Sequence, residues 1–146
     1  MQTQKHFNLT EFKKHIETNK KAWNKRTPIH IKSHFYNNEE FKKGKDSLKS
    51  IELNAIGDVK EKSLLHLQCH FGQDSISFAR RGAKVTAVDF SDVAINEARK
   101  ISEEINLHVN FIESNVLELK LNKEFDIVFS SYGAIGWLPD LDKWAA

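Results

Sequence analysis

The chain has 146 residues, of which 40% are hydrophobic and 29% are charged, and its formal net charge is +2. This composition is typical of one soluble globular domain with one hydrophobic core, and it argues against a disordered or fibrous chain. No apolar run approaches the roughly 18 residues that a membrane span needs, and the first residues lack the apolar core of a secretory signal. Cys69 is the one cysteine and cannot form an internal disulfide, so we expect a cytoplasmic protein with no membrane partner.

The charges are unevenly distributed along the chain. Residues 1–50 hold 12 Lys and Arg against 5 Asp and Glu, whereas residues 51–146 hold 10 against 15. A basic N-terminal segment could attract nucleic acid, but the sequence shows no interleaving of basic and aromatic residues suited to base stacking. We therefore expect a solvated surface that docks onto the acidic remainder, and no nucleic-acid partner.

A helical cap is predicted over residues 1–60. Asn8 or Thr10 can cap its first helix, because short polar side chains accept hydrogen bonds from the free N–H groups of the first turn. Pro28 is predicted to end this helix, since the residue before a proline is forced away from helical angles. The apolar face of the helix carries Phe12, Ile16 and Trp23. Two shorter helical segments follow, over residues 39–43 and 47–56.

Residues 63–89 contain the pattern around which the rest of the chain is organised. An apolar segment, a tight loop, an amphipathic segment and a second apolar segment follow one another, and this order predicts a βαβ unit of nucleotide-binding size. The predicted parts are a strand over Ser63–Gln68, a loop over Cys69–Gly72, a helix over Gln73–Arg81 and a strand that ends at Asp89.

The loop and Asp89 carry the chemistry of this unit. The loop precedes a helix N-terminus, whose N–H groups face the region above the strand ends, and Asp89 is placed to accept hydrogen bonds from ribose hydroxyls. Dinucleotide-binding loops carry three glycines, whereas Gln68 and His70 leave only Gly72 here, so the loop alone is a weak signal. The stronger signal is that polar or small residues follow all four predicted strands, where open α/β sheets bind ligands.

The remaining chain continues the alternation of strands and helices. Ser91 is predicted to cap a helix that reaches about Ile105, and two further strands and the start of a helix at Pro139-Asp140 follow. The two strands are predicted over His108–Glu113 and Phe125–Ser131. This order favours an α/β fold with a Rossmann-like, doubly wound and mostly parallel sheet, of which residues 61–146 supply the first four strands.

Four stretches of this sequence together resemble the class I S-adenosylmethionine-dependent methyltransferases. They resemble in particular a bacterial subgroup whose first motif is Leu-His-Leu-Gln-Cys-His-Phe-Gly-Gln-Asp, which here is Leu65 to Asp74. The resemblance covers about residues 20–146. The other three stretches are residues 33–36, 85–91 and 131–140.

The resemblance implies S-adenosylmethionine as the cofactor and assigns roles to its site. Gln68 to Gly72 would wrap the methionine part and Asp89 would bind the ribose, while Ser131 and Tyr132 would lie near the sulfonium. Two departures from the wider superfamily are His66, where an acid is usual in the first strand, and Asn115, where an acid is usual near adenine. The residues expected to bind the cofactor are Arg26, Gln68, Cys69, His70, Gly72, Asp89, Phe90, Ser91, Asn115, Val116 and Ser131.

The implied reaction is methyl transfer to a small-molecule acceptor. The sulfonium is already a strong electrophile, so the protein mainly aligns the acceptor, and a general base is needed only if the acceptor must lose a proton early. The candidates for that base by position are His34, Tyr36 and Tyr132. We expect no metal site, since His66, Cys69 and His70 lie across a change of chain direction without a fourth ligand.

The predicted sheet contains fewer strands than the seven that the resemblance implies, so we expect the chain to lack the C-terminal half of such a protein. The fourth strand is then an apolar edge, as expected for a fragment, for a naturally shortened chain or for a protomer whose edge a partner covers. We expect a homodimer that covers this edge. Two other functions remain open: a non-catalytic interaction module, and half of a nicotinamide-dependent oxidoreductase.

Overall fold

The computed structural model describes residues 9–145, which form a four-stranded parallel sheet flanked by helices. The α/β, Rossmann-like fold predicted from the sequence is thereby confirmed. The strands are β1 (Ser63–Leu67), β2 (Lys84–Asp89), β3 (Asn110–Glu113) and β4 (Ile127–Ser130). The helices are α1 (Leu9–Ile31), α2 (Asn38–Lys42), α3 (Ser50–Ile56), α4 (Gln73–Arg80), α5 (Asp92–Glu104) and α6 (Leu141–Ala145), with a 3₁₀ turn over Ile135–Trp137.

The sheet order is β3-β2-β1-β4, and every neighbouring pair is parallel. Within this register His66 of β1 lies beside Ala87 of β2 and Phe129 of β4. Strands β1 and β2 lie in the interior of the sheet and are apolar along most of their length, as expected for parallel strands covered on both faces. Because all four strands run the same way, their carboxyl ends meet at one edge of the sheet.

The hydrophobic core lies between the sheet and helices α4 and α5. Ile76 and Phe78 of α4 are fully buried, as are Ile95 and Ala98 of α5. The cap predicted for α5 is confirmed, because the Ser91 hydroxyl accepts a hydrogen bond of 3.1 Å from the N–H of Ala94. These helices fix the loops that connect them to the ends of β1 and β2.

The predicted boundaries of β1, α4 and β2 agree with the structure to within one residue. Strands β3 and β4 are shorter than predicted, because they begin at Asn110 and Ile127 and not at His108 and Phe125. Each of these two strands pairs with only one neighbour in the described part of the sheet. Their outer ends therefore have fewer ladder hydrogen bonds to keep them extended.

The prediction that Pro28 ends the first helix is wrong, because α1 continues to Ile31. The proline lies within the last turn, so it removes a single backbone hydrogen bond near the helix end. Two contacts hold this turn: the buried Thr27 donates from its hydroxyl to the carbonyl of Trp23 at 2.9 Å, and His30 bonds to the loop after β1. Thr10 lies inside the helix and is not its cap, and Asn8 lies outside the described residues.

Helix α1 is attached by polar contacts to the part of the sheet where β2 and β3 end. The Asn24 side chain accepts from the Ser91 hydroxyl at 2.5 Å and donates to Asp92 at 2.9 Å. The ammonium of Lys20 lies 2.7 Å from a carboxylate oxygen of Glu113. Residues 9–56 therefore lie over the carboxyl ends of the strands. Below, 'the cap' without a helix label means this segment and not the residue that caps a helix. None of the helices in the described range is long and apolar enough to span a membrane.

Candidate functional site

A cavity of about 770 Å³ lies between the strand ends and the cap. Its volume is within the range that small-molecule ligands occupy, and its position is where open α/β sheets bind them. We call its two sides the sheet wall and the cap wall. The sheet wall is lined by residues 68–72, Asp89, Phe90, Asn115, Val116 and Ser131. The cap wall is lined by Trp23, residues 34–37, Phe41, residues 45–47, Lys49 and Glu52.

The loop after β1 adopts left-handed backbone angles at alternate residues. The φ angles are 59° at Gln68, 53° at His70 and 78° at Gly72. A glycine is required at the third position, since a Cβ on Gly72 would lie 2.7 Å from the Phe111 ring as well as in a strained conformation. Gln68 and His70 adopt the same backbone region with side chains present. The loop therefore has left-handed backbone angles at three positions, although only one of them is a glycine.

Asp89 at the end of β2 is fixed by backbone donors. Its carboxylate accepts from the N–H of His70 at 2.8 Å and from the N–H of Ser91 at 2.9 Å, and the side chain is only 7% exposed. Burial raises the pKa of this carboxyl, while the N–H groups of Ser91, His70 and Phe90 oppose that rise. A carboxylate has about four acceptor positions, so Asp89 keeps capacity for the hydroxyl donors of a ligand in the cavity.

His66 occupies β1 behind this loop as a neutral side chain. Burial lowers its pKa to about 3, its Nδ1 lies 2.7 Å from the Ser75 hydroxyl, and its Nε2 lies 3.5 Å from the Ser131 hydroxyl. It therefore supplies no negative charge. The next polar residue, Gln68, donates from Nε2 to the carbonyl of Ala134 at 2.9 Å, but its buried Oε1 has no hydrogen-bond partner among residues 9–145.

The cap wall meets the loop after β1 through ring contacts. The Nδ1 atom of His30 lies 3.0 Å from Nε2 of His70, so one imidazole donates to the other. Tyr36 stacks on His30 with centroids 5.3 Å apart, and Trp23 contacts His70 edge-on at 5.2 Å. Burial lowers the pKa of both histidines, that of His70 to about 3, with help from His30 at His70 and from Arg26 at His30. Both rings are neutral at pH 7.

Sequence reasoning missed the polar residues between the cap and α4. Asp74 lines the cavity, and its Oδ1 accepts from the Ser47 hydroxyl at 2.7 Å. Burial raises the pKa of Asp74, Ser47 opposes that rise, and the Glu52 and Asp46 carboxylates add to it. The position of Asp74 directly after the glycine loop was the available signal. Nothing in the pattern of residues 47–56 indicated that Ser47 or Glu52 would face it.

The structure brings most of the predicted site residues together around this cavity, and their roles stay predictions. Two of them do not line it. The exposed Arg26 lies beside the rings of Trp23 and Trp137, with its guanidinium carbon 5.5 Å and 5.3 Å from their centroids. Ser91 is buried as the cap of α5. The residues that line the cavity are Gln68, Cys69, His70, Gly72, Asp89, Phe90, Asn115, Val116 and Ser131.

Two polar side chains of the sheet wall, those of Asn115 and Cys69, are restricted by their local surroundings. The Oδ1 atom of Asn115 accepts from the N–H of Leu117 at 3.1 Å, which leaves its NH₂ group as the free donor toward the cavity. Burial raises the pKa of the Cys69 thiol well above its usual range, so this cysteine is an unreactive wall residue at neutral pH.

Among the described residues, no group of three or more His, Cys, Asp or Glu side chains is arranged to hold a metal ion.

The three candidate bases, His34, Tyr36 and Tyr132, all line the cavity. Burial and the Asp74 carboxylate raise the pKa of Tyr36, and desolvation and a hydrogen bond to Glu52 raise the pKa of Tyr132. Both phenols are therefore protonated at neutral pH and act as hydrogen-bond donors. His34 is exposed at the cavity rim.

Residues 64–146 match the sequence profile of a family described as the methyltransferase domain. Among curated proteins, the chain is similar to the ubiquinone biosynthesis O-methyltransferase of Rickettsia canadensis, with 31% identity over 71 residues. That match covers 49% of this chain and 30% of the relative. The chain thus spans about a third of the length of that curated relative.

Two solved structures extend the comparison. An S-adenosylmethionine-dependent methyltransferase from Clostridium acetobutylicum superposes with a TM-score of 0.57 at 19% identity, covering 87% of this chain and 48% of that one. The 16S rRNA N2 G1207 methyltransferase of T. thermophilus, solved in complex with AdoMet and guanosine, gives a TM-score of 0.51 at 25% identity. It covers 56% of this chain and 23% of that one. The first likeness shows the shared fold.

Proposed function

The chain belongs to the methyltransferase-domain family, and we propose that it binds S-adenosylmethionine and directs its methyl group to a small-molecule acceptor. The observation that carries the proposal is Asp89, a buried carboxylate held by two backbone N–H groups at the end of β2 and beside a left-handed loop. The complex of one similar methyltransferase with AdoMet supports the choice of cofactor. The cavity volume supports a small acceptor beside it.

The residues present fit this cofactor. Asp89 would accept from the ribose hydroxyls, Phe90 and Val116 would contact the adenine, and the free NH₂ of Asn115 would donate to an adenine ring nitrogen. The methionine part would lie along residues 68–72, where the buried Oε1 of Gln68 is an acceptor without a partner in residues 9–145. His66 is neutral and its nitrogens face hydroxyl groups, so it does not replace the missing acid.

When bound, the cofactor supplies an electrophilic methyl group on a sulfonium. The chain then has to orient the acceptor and exclude water. The protonated hydroxyls of Tyr36 and Tyr132 are suited to donate to an acceptor oxygen or nitrogen. Helix α1 and its rings at Trp23 and His30 cover the loop after β1, which limits access of water to the cavity.

Calorimetric titration with S-adenosylhomocysteine and, separately, with NAD tests the cofactor. We expect the first ligand alone to bind, and Asp89→Asn to weaken it roughly tenfold to a hundredfold, as for the loss of hydrogen bonds to a charged group. Asp58→Asn is a matched control, since Asp58 also accepts from a backbone N–H, that of Lys60, but lies on the surface. Binding of NAD alone, or of neither ligand, would contradict the proposal.

A further inference from the structure

We propose that Asp74 is the main acceptor of a subsite for a primary ammonium group in this cavity. The inference rests on the proposed function and assigns to Asp74 a charge that His66 does not supply. A carboxylate that lines a cavity and has no ion-pair partner among the described residues is suited to bind an ammonium group, because charge-assisted hydrogen bonds are the strong ones.

The position of Asp74 places its charge at the cavity. It lies in the first turn of α4, directly after the left-handed loop, and it lines the cavity. Its Oδ1 accepts from the Ser47 hydroxyl at 2.7 Å, and that hydroxyl also lies 2.9 Å from Ser77. Within the described range no Lys, Arg or His nitrogen lies at ion-pair distance from Asp74, and its Oδ2 has no hydrogen-bond partner.

The surrounding charges leave a negative excess at Asp74. Asp46 forms an ion pair with Arg81, so those two charges offset one another. The buried Glu52 adds a second negative charge near Asp74, and Lys49 is the one cation that lowers the pKa of Asp74.

The lysines of the cap wall do not neutralise this excess of negative charge at Asp74. The ammonium of Lys49 lies 5.1 Å from the centroid of the Tyr132 ring and makes no ion pair with Asp74. Lys45 also lines the cavity, but it forms no ion pair with Asp74 and is not among the charges that shift the pKa of Asp74. Among the described residues, the carboxylates of Asp74 and Glu52 are therefore opposed by one nearby cation, Lys49, which forms no ion pair with Asp74. A ligand cation would balance them.

A second observation points to a ligand with several donors. The Oε1 atom of Gln68 is buried without a hydrogen-bond partner in residues 9–145, and Gln68 lines the same cavity just before the loop that Asp74 follows. Buried polar atoms are rarely left unpaired, because the loss of water is then uncompensated. An ammonium group carries three donors and no acceptor, so it can pair with an acceptor oxygen that lacks a donor, such as Oδ2 of Asp74.

Two ligands could supply this ammonium: the methionine part of the cofactor, or an amine that accepts the methyl group. The first arm of the test is a double-mutant cycle read by calorimetry. Wild type and Asp74→Asn are titrated with S-adenosylhomocysteine and with its analogue in which hydrogen replaces the amino group. Asn keeps the shape of the side chain and can still accept from Ser47.

If the cofactor is the source, Asp74→Asn weakens S-adenosylhomocysteine roughly tenfold to a hundredfold and leaves the deaminated analogue unchanged. Asp46→Asn is the matched control, since Asp46 also lines the cavity but is paired with Arg81. Asp46→Asn should weaken the binding of S-adenosylhomocysteine and of its deaminated analogue by the same factor. Thermal melting of each variant separates lost binding from lost folding.

The second arm uses the complex with S-adenosylhomocysteine, titrated with 2-phenylethylamine and with the neutral 2-phenylethanol. Binding of the amine alone, abolished by Asp74→Asn, would assign the subsite to an acceptor amine. If Asp74→Asn changes the affinity for neither S-adenosylhomocysteine nor the amine, the assignment of the ammonium subsite to Asp74 is wrong. That failure is distinct from failure of the proposed function, in which wild type binds neither S-adenosylhomocysteine nor its analogue.

Discussion

The two walls of the cavity are built by different forces. Hydrogen bonds donated by backbone N–H groups hold the sheet wall, as from Cys69 to the Val88 carbonyl at 2.9 Å and from His70 to the Asp89 carboxylate at 2.8 Å. Side chains distant in sequence hold the cap wall, as between His30 and His70 at 3.0 Å and from Gln73 to the Tyr36 carbonyl at 3.1 Å. The sheet wall is therefore formed by the sheet and the loops at its strand ends, whereas the cap wall depends on a few side-chain contacts.

The largest expected effect comes from a change in the sheet wall, Gly72→Ala. The new Cβ would lie 2.7 Å from the Phe111 ring at a φ of 78°, so both overpacking and left-handed strain apply. Together they predict a loss of about 2–5 kcal/mol in the free energy of unfolding. Urea unfolding followed by circular dichroism measures it.

Gly136→Ala is the matched control for this change. Gly136 has nothing within 4 Å of its Cβ position and no positive φ, so its substitution should change stability by less than about 0.5 kcal/mol. Equal stability of the two variants would mean that the loop relaxes without cost, and the rigid description of the sheet wall would then be wrong.

Acid should destabilise the fold through two buried histidines on the sheet side of the cavity. His66 and His70 have folded-state pKa values of about 3, below the usual 6.5, so the unfolded chain takes up protons first as the pH falls below 6.5. Each should then cost about 1.4 kcal/mol of stability per pH unit, or about 2 kcal/mol between pH 6.5 and 5. Urea unfolding at several pH values measures the slope.

His70→Gln should remove about half of the part of the slope that His66 and His70 contribute, because only His66 of these two then remains. The raised pKa values of Asp74 and Asp89 act in the opposite direction and are common to wild type and variant, so the difference isolates the histidine. An unaltered slope in His70→Gln would show that this histidine is accessible to protons in the folded state.

A change in the cap wall should have a smaller effect on stability. Gln73 donates to the Tyr36 carbonyl at 3.1 Å and to Asn38 at 3.2 Å, so Gln73→Ala leaves two acceptors unpaired. We expect a loss of about 1–2 kcal/mol and faster tryptic cleavage after Lys42 and Lys43. Asn96→Ala on the surface of α5 is the control, and equal cleavage of the two variants would contradict this role.

The smallest effect on folding concerns the edge strand β4. Val128 is 62% exposed there, and the homodimer expected from the sequence would cover it. Gel filtration should show a dimer for wild type and a monomer for Val128→Lys, with circular dichroism unchanged. Ile51→Lys, at a 68% exposed apolar position of the cap, should stay dimeric. A wild-type monomer at micromolar concentration would end this expectation.

The sequence alone was sufficient to predict the unit from β1 to β2. Apolar periodicity, Gly72 and the final Asp89 all lie within 27 residues of one another, so local pattern alone positions the loop and the carboxylate at one edge. The cap of α5 at Ser91 was predicted for the same reason, since a short polar residue directly precedes an amphipathic segment.

The cap wall could not be predicted in this way. Ser47 meets Asp74, and His30 meets His70, only through the tertiary fold, and no periodic pattern marks these pairs. Pro28 misled the local reasoning because packing of the buried Thr27 outweighs the preference of the residue before a proline. Left-handed angles at Gln68 and His70 are likewise set by the surrounding loop and not by residue type.

The sheet order β3-β2-β1-β4 also has a consequence for how the chain acquires its fold. Leu64 pairs with Val85 of β2 after one short crossover, but its pairing with Ile127 of β4 closes a much longer loop. Pairings of long sequence separation form late, because their loop-closure entropy must be overcome first. We therefore expect a growing chain on the ribosome to carry β1 with one open edge until β4 has been synthesised, and mispairing with other chains to begin there.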